Sequence, residues 1–421
     1  MTAVDTEDAA ALPADGSQAI DQGSVVTLAF ELRYSCANAC HTERRYVPQL
    51  NIWRDLLPPG LDTALLGKRV GDRVALQFGA RGLAATPQSS SVRDIRMSDF
   101  DGDIVPGWPL RPEHGRYLPQ GALHRAGLGG IYRDNRKPFR VARIDRDRFV
   151  ANLDHPLTGV PVEMSAAVLA VSQKSGDRGG RCQDWSEVLT DGLGMQSRAG
   201  LLPTDFFTGD WAARASEEDD AAFYATPRFV AHIDRRAIEI ITNLYAGFLG
   251  NGMRVLDLMC GDRSHLPDHL GFATVTGVGM NADELAVNAA LTERVVHDLN
   301  RDPVLSFNDA TFDAAICTAS IEYLTQPVDV LREVARVLRP GAPFVVTFSN
   351  RWFPPKVIKV WRGAHPYERL GYVLEAFLQS DGFAALETLV VRGEPRPEDD
   401  PHISETGECD PVFAVWGRRR R

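Results

Sequence analysis

Apolar and polar residues nearly alternate along residues 25–32, which read VVTLAFEL. Such alternation is typical of a half-buried strand. Residues 73–78 and 162–171 share this character, and Gly- and Pro-bounded turns separate the three stretches. The pattern predicts a small β-rich domain that begins near Gly23. Residues 1–22 show no apolar periodicity, and we expect a disordered lead there.

Between residues 86 and 150 the sequence becomes irregular and rich in Arg, Gly and Pro. Two alternating stretches then flank residues 145–147, which read DRD. Charged turn residues between two alternating stretches indicate a hairpin. The segment is therefore predicted to be an insertion in the first domain, with a small sheet of its own.

Residues 172–220 are polar and Gly-rich and are predicted to form a partly packed linker. After Pro227 apolar residues recur every three or four positions from Val230 to Phe248, which predicts a helix. Strand-like segments then alternate with helical ones, which predicts a parallel sheet covered by helices that binds ligands at the carboxyl ends of its strands. The predicted strands are 254–258, 274–278, 295–299, 312–318 and 344–348.

Composition narrows the class of protein. A chain of 421 residues suggests two or three domains. The formal net charge of -10, from 46 Lys and Arg against 56 Asp and Glu, argues against nucleic acid as the main partner. No apolar run approaches the ~18 residues of a membrane span, and the first twenty residues are acidic, so neither a membrane anchor nor a signal peptide is expected. Six scattered cysteines favour a reducing cytoplasm.

Two phrases in the first half carry a family resemblance. Residues 56–72 read LLPPGLDTALLGKRVGD, and residues 152–159 read NLDHPLTG. In this order, with an insertion between them, they resemble the SlyD-like branch of FKBP-type peptidyl-prolyl isomerases over about residues 23–172. The resemblance implies an α+β fold, an FKBP-like β-half-barrel with an inserted flap. It also implies isomerase or chaperone-like activity on a proline-containing or unfolded polypeptide.

Prolyl isomerisation requires an apolar cleft, because desolvating the imide lowers the barrier of ~18–20 kcal/mol that amide resonance creates. By the same resemblance Phe30, Leu57, Leu61 and Met164 would form this isomerase cleft, together with Pro58. The alternative is that these side chains only fill a half-barrel.

The first half also departs from the family. Ala84 stands where the family has a tyrosine that donates to the substrate, so slower turnover is expected. Cys36, Cys40 and His41 lack a second pair of ligands at zinc-finger spacing. We therefore expect a loop with free thiols and predict no metal site.

In the second half residues 255–262 read VLDLMCGD and end a predicted strand. This phrase and those that follow resemble the motifs of class I S-adenosylmethionine-dependent methyltransferases, in the family's order. The resemblance implies an α/β Rossmann-like methyltransferase fold and S-adenosyl-L-methionine as cofactor. The later phrases are TGVGMN at 276–281, HDLN at 297–300, FDAAICT at 312–318, LREVARVLRPG at 331–341 and FVVTFSN at 344–350.

The resemblance also assigns cofactor-binding residues at the strand ends. They are Asp257, Gly261, Asn281, Asp298, Leu299 and Thr318. Two family glycines are replaced by Met259 and Arg263, whose side chains are expected to narrow the cofactor turn. The family's ribose-binding acid falls at Gly279, with Asn281 as a candidate substitute.

Glu322 and Tyr323 would lie on the face where a methyl acceptor sits and are the candidate catalytic residues there; either could equally begin the next helix. Residues 350–356 (NRWFPPK) are a candidate substrate loop, or a loop packed on its own domain. The acceptor itself is not readable from the sequence. Two alternatives stay open: a Rossmann-like scaffold that no longer binds cofactor, and an interaction protein in which one or both folds have lost turnover.

The predicted organisation is a lead at 1–22, an isomerase-like domain at 23–172, a linker and extension at 173–222, and a methyltransferase-like domain at 223–421. Four large aromatic residues make the linker unlike a plain tether: Trp185, Phe206, Phe207 and Trp211. We expect the part from Leu201 onward to pack against the second domain near the cofactor cleft, with a flexible hinge at about 172–181. Few contacts are expected between the two halves, and each should fold alone.

Overall fold

The computed structural model describes residues 18–80, 82–83, 91–105, 109–173 and 180–421. In these residues the strands are β1 Ser24–Ser35, β2 Cys40–Asn51, β3 Arg73–Phe78, β4 Val92–Arg96, β5 Tyr117–Pro119, β6 Pro138–Ile144, β7 Arg148–Asn152, β8 Val162–Gln173, β9 Arg254–Leu258, β10 Thr274–Gly279, β11 Glu293–Val296, β12 Ala314–Thr318, β13 Pro343–Phe348, β14 Phe383–Arg392 and β15 Val412–Arg419. The helices are α1 Leu61–Leu65, α2 Trp185–Thr190, α3 Asp220–Phe223, α4 Arg235–Ala246, α5 Ala282–Val287, α6 Pro327–Val337, α7 Lys359–Gly363 and α8 Pro366–Ser380.

The first half is built on an antiparallel sheet in the order β2-β1-β8-β3. The three strands predicted from alternation, β1, β3 and β8, are confirmed. Along β1 every second side chain is buried, from Val26 through Leu28 to Leu32. The fourth strand, β2, was not predicted.

The insertion forms a separate sheet in the order β4-β7-β6-β5. Its hairpin of β6 and β7 turns at residues 145–147, which confirms the predicted hairpin. Phe139 and Phe149 stack at the centre of its own apolar core, with ring centroids 6.2 Å apart. The predicted insertion with a small sheet of its own is therefore present.

The second half contains a parallel sheet in the order β11-β10-β9-β12-β13, and β15 and β14 continue it in antiparallel pairing. The strand order reverses between β9 and β12. In open α/β sheets such a reversal leaves a crevice at the carboxyl ends of the strands. This arrangement confirms the predicted Rossmann-like βαβα organisation.

The two halves share one continuous sheet. β14 pairs in parallel with β2, from Glu387 opposite Cys40 to Arg392 opposite Arg45, and this pairing creates an eleven-stranded sheet. The expectation of few contacts between the halves is therefore wrong. Backbone pairing satisfies the edges of both sheets, which would otherwise be left open.

The residues predicted to line an isomerase cleft lie in the core. Phe30 and Met164 are each 2% exposed and Leu61 is 0% exposed, while Leu57 is half-buried. The backbone of Leu56 exchanges hydrogen bonds with residues 183 and 185, so the linker runs alongside this region. In this conformation the predicted residues do not form an open cleft.

Some predictions fall partly outside the described residues. Ile20, within the predicted lead, is 2% exposed and accepts a hydrogen bond from the N–H of Gly67, so residues 18–22 are ordered. Residues 1–17, Ala84 and most of the predicted hinge, 174–179, lie outside the described part of the chain. In the part that is described, no helix has both the length and the apolar character needed to cross a bilayer.

Candidate active site

A cavity opens at the carboxyl ends of β9, β10 and β12 and beside the loop that follows β11. The switch point of the parallel sheet therefore coincides with a concave site. The structure brings every predicted cofactor-binding residue to its wall: Asp257, Gly261, Asn281, Asp298, Leu299 and Thr318. Their roles in binding stay predictions.

Asp257 is the most unusual group on this wall. Its side chain is buried, and the oxygen Oδ2 has no hydrogen-bond partner. Burial raises the pKa of this carboxyl to about 7, against a smaller lowering by the Ser264 hydroxyl and the Cys260 thiol beside it. A buried polar atom without a partner is costly, and a cationic group in the cavity would relieve the cost. The site thus fits a ligand that carries positive charge.

As predicted, the turn after β9 carries the side chains of Met259 and Arg263 where a glycine-rich turn has none. Met259 adopts φ 56, in the left-handed region where a side chain is strained. Its carbonyl oxygen lies 3.2 Å from the Ser320 hydroxyl, which also lies 2.8 Å from the carbonyl oxygen of Thr318 and shares its one proton between the two. The side chain of Arg263 is 56% exposed and lies 3.5 Å from Asp262. Met259 and Arg263 both border the cavity.

An acid at position 279 is sterically excluded, because a Cβ on Gly279 would collide with the carbonyl oxygen of Cys260. Asn281 is a poor substitute. Its Oδ1 accepts the N–H groups of residues 283 and 284 at the start of α5, and its Nδ2 donates to the carbonyl oxygen of Tyr224 at 2.8 Å. The amide is thus occupied in capping α5 and holding the extension that precedes α4.

Glu284 is a candidate binding residue that the sequence reasoning missed. It lines the cavity from the first turn of α5. Oε1 accepts the N–H of Arg228 at 2.7 Å, and Oε2 lies 3.3 Å from the point where Gly261 would carry a Cβ. Burial raises the pKa of this carboxyl. The sequence did contain a signal for this residue, namely an acidic residue three positions after an Asn that can cap a helix.

The loop after β11 supplies the far end of the cavity. Oδ1 of Asp298 accepts the N–H of Asn300 at 2.9 Å, which shapes the turn, and Leu299 is buried. Across the cavity, the Thr318 hydroxyl forms a hydrogen bond of 2.6 Å with the Tyr245 hydroxyl. Thr318 is therefore held against α4 by its own side chain.

Only one of the two candidate catalytic residues lies on the cavity wall. Both belong to a 3-10 turn, Ile321–Tyr323, and the next helix, α6, begins later. Tyr323 lines the cavity, and its hydroxyl oxygen accepts the N–H of Phe353 at 2.8 Å. Glu322 is 1% exposed and is not on the cavity wall, and burial raises its pKa to about 8. A direct role is thus possible geometrically for Tyr323 and not for Glu322.

The candidate substrate loop, residues 350–356, likewise lies only partly on the cavity wall. Phe353 lines the cavity and stacks on Tyr323, with ring centroids 6.0 Å apart. Trp352 instead packs under the guanidinium of Arg369 at 4.4 Å, and Lys356 is fully buried. Only one residue of the loop therefore lies on the cavity wall, and much of the loop packs on its own half.

The extension before α4 covers the cavity. Asp220 forms ion pairs with Arg214 at 2.6 Å and with Lys356 at 2.8 Å, and accepts a hydrogen bond from Asn300 at 3.0 Å. These bonds hold α3 over the loop that follows β11. Tyr224, Arg228 and residues 230–233 continue as cavity wall.

The predicted packing of the linker aromatics holds in part, because Trp185 instead donates to Asp55 of the first half and the other three aromatics lie off the cavity wall. The rings of Phe206, Phe207 and Trp211 lie within 6.2 Å of the ring of Tyr372 on α8, measured between centroids. The backbone of residues 211–216 also bonds to residues 355–360. Residues 211–216 therefore pack on the second half, whereas Asp205 and Phe206 also contact the insertion of the first half, at the carbonyl oxygen of His114 and the guanidinium of Arg116.

Cys36 and His41 lie together without forming a metal site. Sγ of Cys36 is 3.3 Å from Nε2 of His41, and Nδ1 of the same ring is 2.8 Å from the Thr388 hydroxyl. Burial lowers the pKa of His41 to about 4. Across the described ranges no group of three or more His, Cys, Asp or Glu side chains is arranged to hold a metal ion.

Comparison with known proteins places a methyltransferase domain around this cavity. Residues 256–346 match a family model described as a methyltransferase domain. Sterol 4-C-methyltransferase strm-1 of Caenorhabditis elegans is 32% identical over 108 residues, which cover 23% of this chain and 31% of that protein. The fatty-acid O-methyltransferase of Mycolicibacterium smegmatis is 33% identical over 170 residues, 38% of this chain and 57% of that protein. The chain thus spans between about a third and just over half of the length of these relatives.

A solved S-adenosylmethionine-dependent methyltransferase from Mesorhizobium loti has 21% sequence identity and a TM-score of 0.29, covering 42% of this chain and 96% of that one. The domain match supports methyl transfer and S-adenosylmethionine as cofactor, so the cofactor prediction is confirmed at the level of the domain. The same comparisons give no support to an FKBP or SlyD domain in the first half.

Proposed function

We propose that this chain transfers a methyl group from S-adenosylmethionine to an acceptor bound in the same cavity. The observation that carries the proposal is the buried, unpartnered Oδ2 of Asp257 on the cavity wall. A carboxylate in this position complements the positive charges of the cofactor, because opposite charges attract strongly where water is excluded. The residues present therefore fit the group.

When bound, the cofactor supplies an electrophilic methyl group on a positively charged sulfur. The protein has to orient the two reactants, since correct placement supplies much of the catalysis in a displacement of this kind. In this proposal Glu284 and Asp298, which both line the cavity, accept hydrogen bonds from the ribose and adenine groups of the cofactor. Leu299 gives the adenine an apolar contact.

On the acceptor side, Tyr323 is the residue placed to orient a nucleophile. Burial raises the pKa of its hydroxyl well above the usual value, so the group stays protonated. Because its oxygen accepts the Phe353 N–H, its proton is available to donate to an acceptor. Glu322, the neighbouring residue of the same turn, is buried off the cavity wall and serves, in this proposal, to position Tyr323.

The acceptor is proposed to have an apolar body. Val230, Ile233 and Phe353 lie on the outer wall of the cavity, and Phe229 next to them is 53% exposed. An apolar wall that continues into exposed apolar surface is typical of a binding site for an apolar molecule. The relatives named for sterol and fatty-acid substrates agree with this proposal.

Thermal unfolding of the full chain tests cofactor binding. A ligand at 100 times its dissociation constant stabilises the folded state by ~2.7 kcal/mol, so the melting temperature should rise by several degrees. S-adenosylhomocysteine at 1 mM is expected to give this rise in the wild-type chain and a smaller one after Asp257→Asn. An unchanged melting temperature in the wild-type chain would favour a scaffold without cofactor.

For the first half we propose a binding role without prolyl turnover. Burial of Phe30, Leu61 and Met164 supports the absence of prolyl turnover, because a peptide has no access to them in this conformation. A proline-containing or unfolded polypeptide remains the proposed partner. Proline-limited refolding of a test protein separates the possibilities. Peptide binding without acceleration is the expected result, whereas acceleration that Leu57→Asp abolishes would restore the isomerase function.

A further inference from the structure

Arg228 is a cation on the cavity wall whose guanidinium makes no ion pair with any described residue, although the Glu284 carboxylate is near enough to feel its charge. It comes from the extension before α4 and lines the cavity. Among the described residues no Asp or Glu carboxylate lies within ion-pair distance of its guanidinium; the bond to Glu284 comes from its backbone N–H. The charged residues closer to the sheet, Asp257 and Asp298, are acidic. Acidic side chains, among them Asp257, Asp298 and Glu284, therefore share the cavity wall with the guanidinium of Arg228.

The guanidinium of Arg228 is held rigidly. Its carbon lies 4.4 Å from the ring centroid of Phe223, 5.7 Å from that of Tyr224 and 5.4 Å from that of Phe353. Two of its N–H groups donate to the carbonyl oxygens of Thr226 and Phe223, at 3.3 and 3.1 Å. A guanidinium has five N–H donors in a fixed plane, so further donors remain for a ligand. Preorganised guanidinium groups recognise planar carboxylates particularly well.

The apolar wall lies next to this cation. Phe353 touches both features, because its ring packs on Arg228 on one side and on Tyr323 on the other. Val230 follows Arg228 by two positions and is 54% exposed at the cavity. A ligand that satisfies both features carries a carboxylate on an apolar body.

We propose that the methyl acceptor is the carboxylate of an amphipathic acid, positioned by Arg228. This inference rests on the proposed function. In the transfer, a carboxylate oxygen forms a bond to the methyl carbon while the carbon–sulfur bond breaks and its electron pair stays on sulfur. The products are a methyl ester and S-adenosylhomocysteine. A carboxylate is already ionised at neutral pH, so no proton has to be removed and no general base is required.

The test is calorimetric titration of octanoate into the full chain saturated with S-adenosylhomocysteine, with 1-octanol as the matched neutral ligand. Octanoate is expected to bind and 1-octanol to bind at least about tenfold more weakly, which is the range for a hydrogen bond to a charged group. With S-adenosylmethionine instead, mass spectrometry should detect methyl octanoate. Equal binding of both ligands, or of neither, would overturn the inference.

Variants of Arg228 test whether this residue is responsible for the preference for octanoate over 1-octanol. Arg228→Gln should weaken octanoate binding about tenfold or more and leave the affinity for S-adenosylhomocysteine within about twofold, while Arg228→Lys should recover part of the octanoate affinity. Arg301→Gln, an exposed arginine outside the cavity, is the control and should change neither. If Arg228→Gln instead weakens S-adenosylhomocysteine and spares octanoate, the guanidinium binds the cofactor's own carboxylate and the inference fails. If the wild-type chain does not bind S-adenosylhomocysteine, the proposed function itself fails.

Discussion

Glu43 on β2 accepts a hydrogen bond of 2.6 Å from Nε of Arg392 on β14, where the sheets of the two halves pair. The second carboxylate oxygen of Glu43 accepts the hydroxyl of Tyr367 on α8 at 2.5 Å. Glu43 is 1% exposed. A buried carboxylate with both oxygens bonded across the junction ties the first half of the chain to the second half.

Replacing one partner of this group should be costly. Glu43→Gln leaves the Arg392 guanidinium buried beside a neutral amide, and the free energy of unfolding should fall by about 3–5 kcal/mol. Urea unfolding of the full chain measures the change. Glu31→Gln is the control, because Glu31 and Arg44 pair at 2.8 Å on the surface, and it should cost less than about 1 kcal/mol. Similar losses for the two variants would show that the junction pair contributes no special stability.

The continuous sheet also predicts cooperative unfolding. Because β2 and β14 are hydrogen-bonded neighbours and the second half would expose an open strand edge alone, both halves should unfold in one transition. Fluorescence and circular dichroism should report the same midpoint in the wild-type chain. A fragment of residues 223–421 should aggregate or unfold at lower urea than the full chain. Two separated transitions in the full chain would favour independent halves.

Cofactor affinity should depend on pH through Asp257. Burial places the pKa of this carboxyl at about 7 in the cofactor-free protein, and only the ionised form attracts a cation. Affinity should therefore rise from pH 6 to pH 8, by at most about tenfold per pH unit below the pKa. Binding near pH 7 should release protons, which calorimetry detects as a dependence of the heat on the buffer. In Asp257→Asn the affinity should change less steeply with pH, because Glu284, another carboxyl on the cavity wall whose pKa burial raises, then remains, and a flat profile in the wild-type chain would contradict the assignment.

Glu284 should contribute to cofactor binding although it lies outside the recognised motifs. Glu284→Gln keeps the shape of the side chain and removes the charge, so the affinity for S-adenosylhomocysteine should fall about tenfold to a hundredfold. Asp283→Asn on the same helical turn is the matched control, because its side chain is exposed and lies off the cavity wall. An unchanged affinity in Glu284→Gln would show that Glu284 does not bind the ribose and that another residue has this role.

Much of the fold could be predicted because the strands obey simple apolar patterns. β9 was predicted to the residue, since its burial is continuous and a helix end precedes it. β2 was missed because two of its inward-facing residues are polar. His41 and Glu43 are 2% and 1% exposed, and their partners, Thr388, Tyr367 and Arg392, are more than 300 residues away in the sequence. Alternation of apolar residues cannot reveal a strand that buries paired polar groups.

The residues of the site could be predicted only in part, because some of them depend on contacts between distant parts of the chain. Strand ends mark Asp257 and Asp298, because parallel strands bring their carboxyl ends to one edge. The occupation of Asn281 in a helix cap, and the arrival of Arg228 beside Glu284, depend on the path of the extension across the cavity. Long-range packing determines that path, and local sequence patterns do not encode it.

Isothermal titration of the full chain with S-adenosylmethionine tests the central claim most directly, because it needs no acceptor. We expect saturable binding at one site per chain, with weaker binding after Asp298→Ala, since this carboxylate lines the cavity and is proposed to bind the adenine. Saturation of the wild-type chain with a reduced affinity of the variant is the predicted result. No heat and no saturation at millimolar cofactor would contradict the account and leave the second half as a scaffold.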